Sequence, residues 1–298
     1  MSLKLRGIIP AVLTPFNPDG SVDEGDLRAH IDFLIEKGVH ALFPLGTAGE
    51  GMVMGLEERK RAAQVCVEQA AGRVPVMIHT GTANTAETIE LTKHAAEIGA
   101  DAASIVAPYF YAHDEECLFN HFAAVARSVP GFPVFLYNNP GNAKNAISPR
   151  LLRRLTEGCE NIVGLKDTSK SIDQLQSYLA AVGDEVTILT GSNTLVLASL
   201  AVGAAGAISS VANCFPEVMV QLYESFIEGG LAEARRKQEL VCRIYDALKI
   251  GPYLAAYKVA LRLRGRRFSS HMKAPLRQMT PDQEGKLKAA LSGIGVLE

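Results

Sequence analysis

The sequence predicts an α/β protein built as a (β/α)8 TIM barrel with a C-terminal helical appendage, and three observations carry that prediction. Eight short β-rich apolar runs recur along the chain, each is followed by a longer amphipathic stretch, and after Glu228 the pattern turns helical only. The runs are too short for helices, and strands alternating with helices imply parallel pairing through right-handed crossovers. Eight such units are what a barrel of this kind needs, and Gly7 to Glu228 is a suitable length. An open doubly wound sheet would advertise a G-x-G-x-x-G loop after its first strand, and none follows here.

In order, the runs are Gly7–Pro15, Ala41–Gly46, Pro75–His79, Ala102–Pro108, Pro133–Tyr137, Ile162–Lys166, Val186–Gly191 and Gly206–Ala212. Helical segments between them include Asp26–Lys37, Leu56–Ala71 and Thr85–Ile98. In the last, Ile89, Leu91, Ala95, Ala96 and Ile98 recur at helical spacing against charges at Glu87, Glu90, Lys93 and Glu97, with Thr85 expected as N-cap. Leu231–Leu248, Tyr253–Leu263 and Pro281–Leu291 read as helices of the appendage. The expected division is therefore a barrel over 1–228 and a helical extension over 229–298, packed on it without a low-complexity linker.

Composition narrows the function classes. With 48% hydrophobic and 21% charged residues the chain has the means to bury a sizeable core, which excludes intrinsic disorder. Thirty Lys+Arg against 32 Asp+Glu leave a formal charge of −2, which argues against nucleic acid or an anionic membrane as partner. No uncharged apolar stretch reaches about 18 residues, so no segment is expected to span a bilayer. Cys66, Cys117, Cys159, Cys214 and Cys242 are scattered without a C-x-x-C, as in reduced thiols, and no signal-peptide core opens the chain. A cytoplasmic protein is the expectation.

Barrels place reacting groups at the C-terminal strand ends and in the following loops, which directs attention to three stretches. In Ile162–Lys166, period-2 alternation puts Lys166 on one face with Gly164. If that face is interior, desolvation disfavours the ammonium, and a neutral amine is what Schiff-base formation with a ketone requires. The alternatives are a lysine that snorkels out of the barrel mouth or pairs with Asp167 or another carboxylate. Tyr137, one strand away, either relays a proton or fills the barrel with its hydroxyl satisfied. In Gly46–Gly51, small residues let N–H groups approach an anion, with Thr47 adding a hydroxyl, although such loops also serve turns. The seven histidines form no H-x-H or H-E-x-x-H, so a metal-dependent enzyme is disfavoured, and no G-x-S-x-G marks a serine hydrolase. A phosphate-binding barrel enzyme, with Gly191–Ser192 and Gly206 as the phosphate site, is a rival reading.

Taken together, GTAGE (Gly46–Glu50), YNNP (Tyr137–Pro140), GLKDTS (Gly164–Ser169), TGS (Thr190–Ser192) and GAISSVAN (Gly206–Asn213) resemble the dihydrodipicolinate synthase / N-acetylneuraminate lyase family, from about Gly7 to about Leu291. The resemblance implies a class I, Schiff-base lyase or aldolase, usually a homotetramer (dimer of dimers), acting on pyruvate or a related 2-keto acid without a metal or other cofactor. It makes Lys166 the imine-forming lysine, Tyr137 the proton-shuttling tyrosine and Thr47 its relay partner. It gives the amides of Thr47 and Ala48 to the substrate carboxylate, and Gly191 and Ile208 to the pocket wall.

Three departures shape the expected reaction. Ala48 stands where the family usually has Thr, removing one hydrogen bond worth about 1 kcal/mol. Phe110 falls at the position of a second relay tyrosine reaching from a neighbouring subunit, with Tyr109 and Tyr111 flanking it. Asn142, with Lys144 two residues on, replaces the arginine that grips a second carboxylate in the synthases, and an amide does not substitute for that fork. The expected activity is aldol cleavage or condensation, or dehydration, of a 2-keto-3-deoxy acid. The alternative is 4-hydroxy-tetrahydrodipicolinate synthase, and an alternative of another class is a catalytically dead barrel acting as a binding protein.

Overall fold

A computed structural model describes residues 3–297 around one parallel sheet. Its strands are β1 (Gly7–Pro10), β2 (Met77–His79), β3 (Ala102–Val106), β4 (Val134–Asn138), β5 (Ile162–Asp167), β6 (Thr187–Thr190) and β7 (Gly206–Ser209). They run in the order β1-β7-β6-β5-β4-β3-β2, so each strand from β2 to β7 lies beside its neighbour in sequence, joined by a helical crossover. Every strand residue is buried, which is why the runs are continuously apolar instead of alternating.

The second predicted run departs from expectation. Ala41–Gly46 forms no strand and makes a single bridge, Leu42 with Val76. Pro44 has no N–H to donate, and Leu45 turns into the left-handed region at φ 63, so the ladder stops there. The segment nevertheless bonds on both sides. The N–H groups of His40 and Phe43 donate to Ile8 and Pro10 of β1, while Met77 and His79 of β2 donate to Leu42 and Pro44. The run thus bridges the two edge strands of the seven-stranded sheet.

The helix Thr85–Glu97 corrects a second detail. Its N-cap is Asn84, whose side chain accepts the Glu87 N–H at 2.8 Å. Thr85 is the first helical residue, and its hydroxyl instead meets His121 Nδ1 at 3.0 Å. After Glu228 the chain forms the helices Leu231–Ala247, Ala255–Leu263 and Pro281–Ile294, the first packed on Pro216–Ile227 and on Asn193–Leu195. Each of the five cysteines is free. Among the described residues no helix is long and apolar enough to cross a membrane.

Because the Asn84 carboxamide satisfies an otherwise orphaned N–H, Asn84→Ala is expected to cost about 1 kcal/mol in urea unfolding, with Asn84→Asp retaining most of it. Equal losses in the two variants would contradict the capping role.

Candidate active site

β4 and β5 pair so that Tyr137 and Lys166 are direct cross-strand partners. Both side chains are nearly inaccessible, 3% and 4% exposed. Lys166 Nζ stands 4.0 Å from the centroid of the Tyr137 ring and 4.3 Å from that of Phe43. Phe43 and His79 in turn meet the Tyr137 ring edge-on, at 6.1 and 5.8 Å between centroids. The amine therefore sits among aromatic faces and not beside a carboxylate.

The nearest candidate carboxylate is otherwise engaged. Asp167 accepts from Asn138 Nδ2 at 2.7 Å and from the Ser169 hydroxyl at 2.5 Å, and its carbonyl takes the Gly191 N–H at 2.6 Å. Asn138 also accepts the Ile147 N–H at 2.9 Å, fixing the ends of β4 and β5 together. Two glycines make room for this arrangement. A Cβ on Gly164 would strike the Phe135 ring and lie 2.8 Å from Thr187 O; one on Gly191 would strike the Thr168 hydroxyl and crowd Lys166 Cε at 3.1 Å.

Burial lowers the Lys166 pKa below the ordinary lysine value, with Tyr137 opposing the shift in part. For Tyr137, burial alone would raise the phenol, but the Lys166 charge and the Thr47 hydroxyl outweigh it and lower it. The two groups therefore titrate as a pair, each moved toward the neutral range. The Tyr137 hydroxyl accepts from Asn139 Nδ2 at 3.0 Å and lies 3.4 Å from Thr47 Oγ1. A phenol so placed has a route for its proton and a positive neighbour to stabilise its anion.

Thr47, Ala48, Tyr137, Asn142, Lys166, Gly191 and Ile208 line one cavity of about 280 Å³. Among the described residues, the N–H groups of Thr47 and Ala48 donate to no backbone carbonyl. Phe110 and Tyr111 stand apart. They are 72% and 69% exposed, pack edge-to-face on each other at 5.0 Å, and line neither this cavity nor its neighbour. Phe110 occupies the left-handed region at φ 82, which carries the Tyr109–Tyr111 turn outward. Within one chain they are not pocket residues. The neighbouring lobe, about 330 Å³, shares Thr47, Tyr137, Asn139 and Asn142 and extends over Val106 and Tyr109.

Several site residues escaped the sequence reading. A polar chain runs along one wall: Asn193 Nδ2 donates to Ser210 Oγ, which donates to Tyr257 OH, each at 3.1 Å. The SS pair of GAISSVAN was a signal for Ser210, but nothing local marks Tyr245, Tyr253 or Tyr257, which the C-terminal segment brings to the cavity. Behind His79, the buried Arg59 donates to the carbonyls of His79 at 2.9 Å and Gly81 at 3.2 Å, and burial lowers its guanidinium to about 10. Among the described residues no group of three or more His, Cys, Asp or Glu could hold a metal ion.

Comparison with known proteins agrees with this geometry. The family model described as the dihydrodipicolinate synthetase family matches residues 4–294. The chain is 38% identical to an uncharacterised DapA-like lyase of Halobacterium salinarum, over 99% of this chain and 96% of the relative. It is also 38% identical to a 4-hydroxy-tetrahydrodipicolinate synthase of Geobacter sp., over 96% and 97%. Among solved structures, YagE, a prophage protein of the same family from E. coli in complex with pyruvate, superposes with a TM-score of 0.95 at 36% identity, covering 98% of this chain and 99% of that one. Dihydrodipicolinate synthase from Aquifex aeolicus gives a TM-score of 0.93 at 32% identity, with the same coverage. The chain belongs to the dihydrodipicolinate synthetase family and is a lyase of that family.

Proposed function

We propose that this chain is a class I, Schiff-base enzyme that cleaves, forms or dehydrates 2-keto acids through Lys166, with pyruvate as the smallest substrate. The observation that carries the reading is the buried Lys166 amine, held against Tyr137 and, among the described residues, paired with no carboxylate. Neutral Nζ attacks the C2 ketone, and the carbinolamine loses water to give a protonated imine. Tyr137, as phenolate, takes a proton from C3 of pyruvate, leaving an enamine. That carbon then bonds to an aldehyde carbon, whose oxygen receives the proton from Tyr137. In the cleavage direction Tyr137 removes the C4 hydroxyl proton, the C3–C4 bond breaks to give an aldehyde and the enamine, Tyr137 returns the proton to C3, and water hydrolyses the resulting imine to restore Lys166.

The remaining assignments follow from position. Thr47 relays protons with Tyr137, supported by their 3.4 Å separation. The unengaged N–H groups of Thr47 and Ala48 hold the substrate carboxylate, and Gly191 and Ile208 wall the pocket. Asn142 faces the second substrate as a neutral amide, which favours a hydroxylated partner over an anionic one. We read the sheet, completed by Ala41–Gly46, as a (β/α)8 barrel over 1–228, with 229–298 as its helical appendage. The exposed Phe110–Tyr111 pair supports a homo-oligomer in which a second copy covers it, as expected for a dimer of dimers. A second reading, 4-hydroxy-tetrahydrodipicolinate synthase, is favoured by relatives of that name at 34–38% identity.

Borohydride trapping with pyruvate, followed by peptide mapping, is expected to mark Lys166; no adduct with pyruvate or longer 2-keto acids would sink the proposal. Lys166→Ala should abolish turnover without loss of thermal stability, since it removes a group that is costly to bury. Tyr137→Phe should slow turnover by roughly 10²–10⁴-fold; an effect below tenfold would move the proton relay elsewhere. Because burial lowers the Lys166 pKa, the neutral amine forms at lower pH than on a surface lysine. The trapping rate should thus rise with pH and level off below 10.5, and a limb at or above that value would contradict the desolvated amine. Adding aspartate semialdehyde to the pyruvate reaction separates the two readings, since only the synthase condenses it.

A further inference from the structure

The turn that holds Thr47 and Ala48 is anchored by a group outside the chemistry. Glu50 closes it, donating its N–H to Thr47 O at 3.2 Å with a left-handed backbone at φ 57. Packing allows this turn little freedom: the Thr14 hydroxyl bonds Gly49 O at 2.7 Å, and a Cβ on Gly49 would approach Val12 O to 2.7 Å. The Glu50 carboxylate lies 2.5 Å from Lys258 Nζ, and both side chains are wholly withdrawn from solvent. Its second oxygen accepts the Lys273 N–H at 2.9 Å. Lys258 donates to His271 O at 2.7 Å and stands 4.5 Å over the Phe16 ring. The other nearby cation, the Lys273 ammonium, is paired with Glu58 at 2.8 Å.

Lys258 lies on the helix Ala255–Leu263, far from the turn in sequence. Its neighbour Tyr257, and Leu254 at the start of that helix, wall the lobe that holds Lys166; Glu50 borders only the neighbouring lobe, and Lys258 lines neither. The ion pair therefore ties the Thr47–Ala48 turn to the helix that walls the Lys166 lobe, with Glu50 at the edge of the neighbouring lobe and Lys258 buried beneath it. A buried pair of this kind contributes little net stability compared with apolar side chains of similar size, and its best-attested role is to fix a register.

We propose that Lys258, acting through Glu50, is a positioning residue for the reaction, setting the Thr47–Ala48 turn against the C-terminal helix so that two N–H groups meet the substrate carboxylate. This rests on the Schiff-base reading above. Loss of the pair weakens substrate binding more than it slows the bound complex, because Lys166 keeps its aromatic contacts and Tyr137 its 3.0 Å bond from Asn139, while only the longer 3.4 Å contact with Thr47 lies on the displaced turn.

The test is the full-length Glu50→Gln/Lys258→Met double variant, which buries no unpaired charge. Borohydride trapping with pyruvate and steady-state kinetics are compared with the parent, with the fold checked by circular dichroism. The half-saturating pyruvate concentration and KM are expected to rise about tenfold or more, with the saturating rate changed by less than about threefold. A half-saturation within twofold of the parent overturns the positioning role. If the double variant precipitates, Glu50→Gln alone, which keeps the side chain's size and an acceptor, carries the same comparison with the same two readings. No adduct in the parent overturns the Schiff-base reading and this proposal together; an adduct in the parent with unshifted half-saturation overturns the positioning role only.

Discussion

Withdrawing one amine from water without giving it a counter-ion is the constraint around which the centre of this structure is organised. Lys166 meets aromatic faces in place of a carboxylate, and the surrounding residues keep matters so. Asp167, next in sequence, is occupied by Asn138 and Ser169. Gly164 and Gly191 leave the space that a methyl group would take from Phe135, Thr168 and Lys166 itself. A stacked ring partly compensates a cation, by about 0.5–2 kcal/mol, which is less than the cost of burying it. The imbalance lowers the pKa of the amine and so favours its neutral, nucleophilic form, and stability is traded locally for reactivity.

The same logic runs through the polar groups nearby. Tyr137 is stabilised as an anion by the cation it stacks on, and Thr47 and Asn139 meet its oxygen. Arg59 is buried against the main-chain carbonyls of His79 and Gly81 and the His79 ring nitrogen, so it brings no acid into the site. The Glu50 carboxylate, which borders the neighbouring lobe, is paired with the buried Lys258.

Much of this was legible in the sequence. The strands follow from the short apolar runs, seven of the eight of which became strands, while period-2 alternation put Lys166 on one face with Gly164 without saying which face is inward. Ala41–Gly46 did not become a strand: Pro44, visible in the run, has no N–H for the ladder, and the left-handed turn at Leu45 is a backbone choice that residue type does not show. Asn84 and Thr85 are both acceptable caps by residue type, and only the backbone at the helix start separates them. Lys166 could be narrowed to three environments, but choosing among them needed the partners of Asp167, of which Asn138 lies on another strand. The tyrosines at 245, 253 and 257, and Lys258 opposite Glu50, come from packing across most of the chain and leave no local pattern.

The pairing of Tyr137 with Lys166 in one register has a consequence for how such a protein changes over generations. The two groups are held by backbone hydrogen bonds of adjacent strands, so their relation survives alterations to almost any loop. The far wall, by contrast, is drawn from the seventh strand's end and from the C-terminal helices, where Ser210 and Tyr257 stand. Inheritance of the chemistry and inheritance of the preference for a partner molecule are therefore carried by separate stretches of chain, free to diverge at different rates.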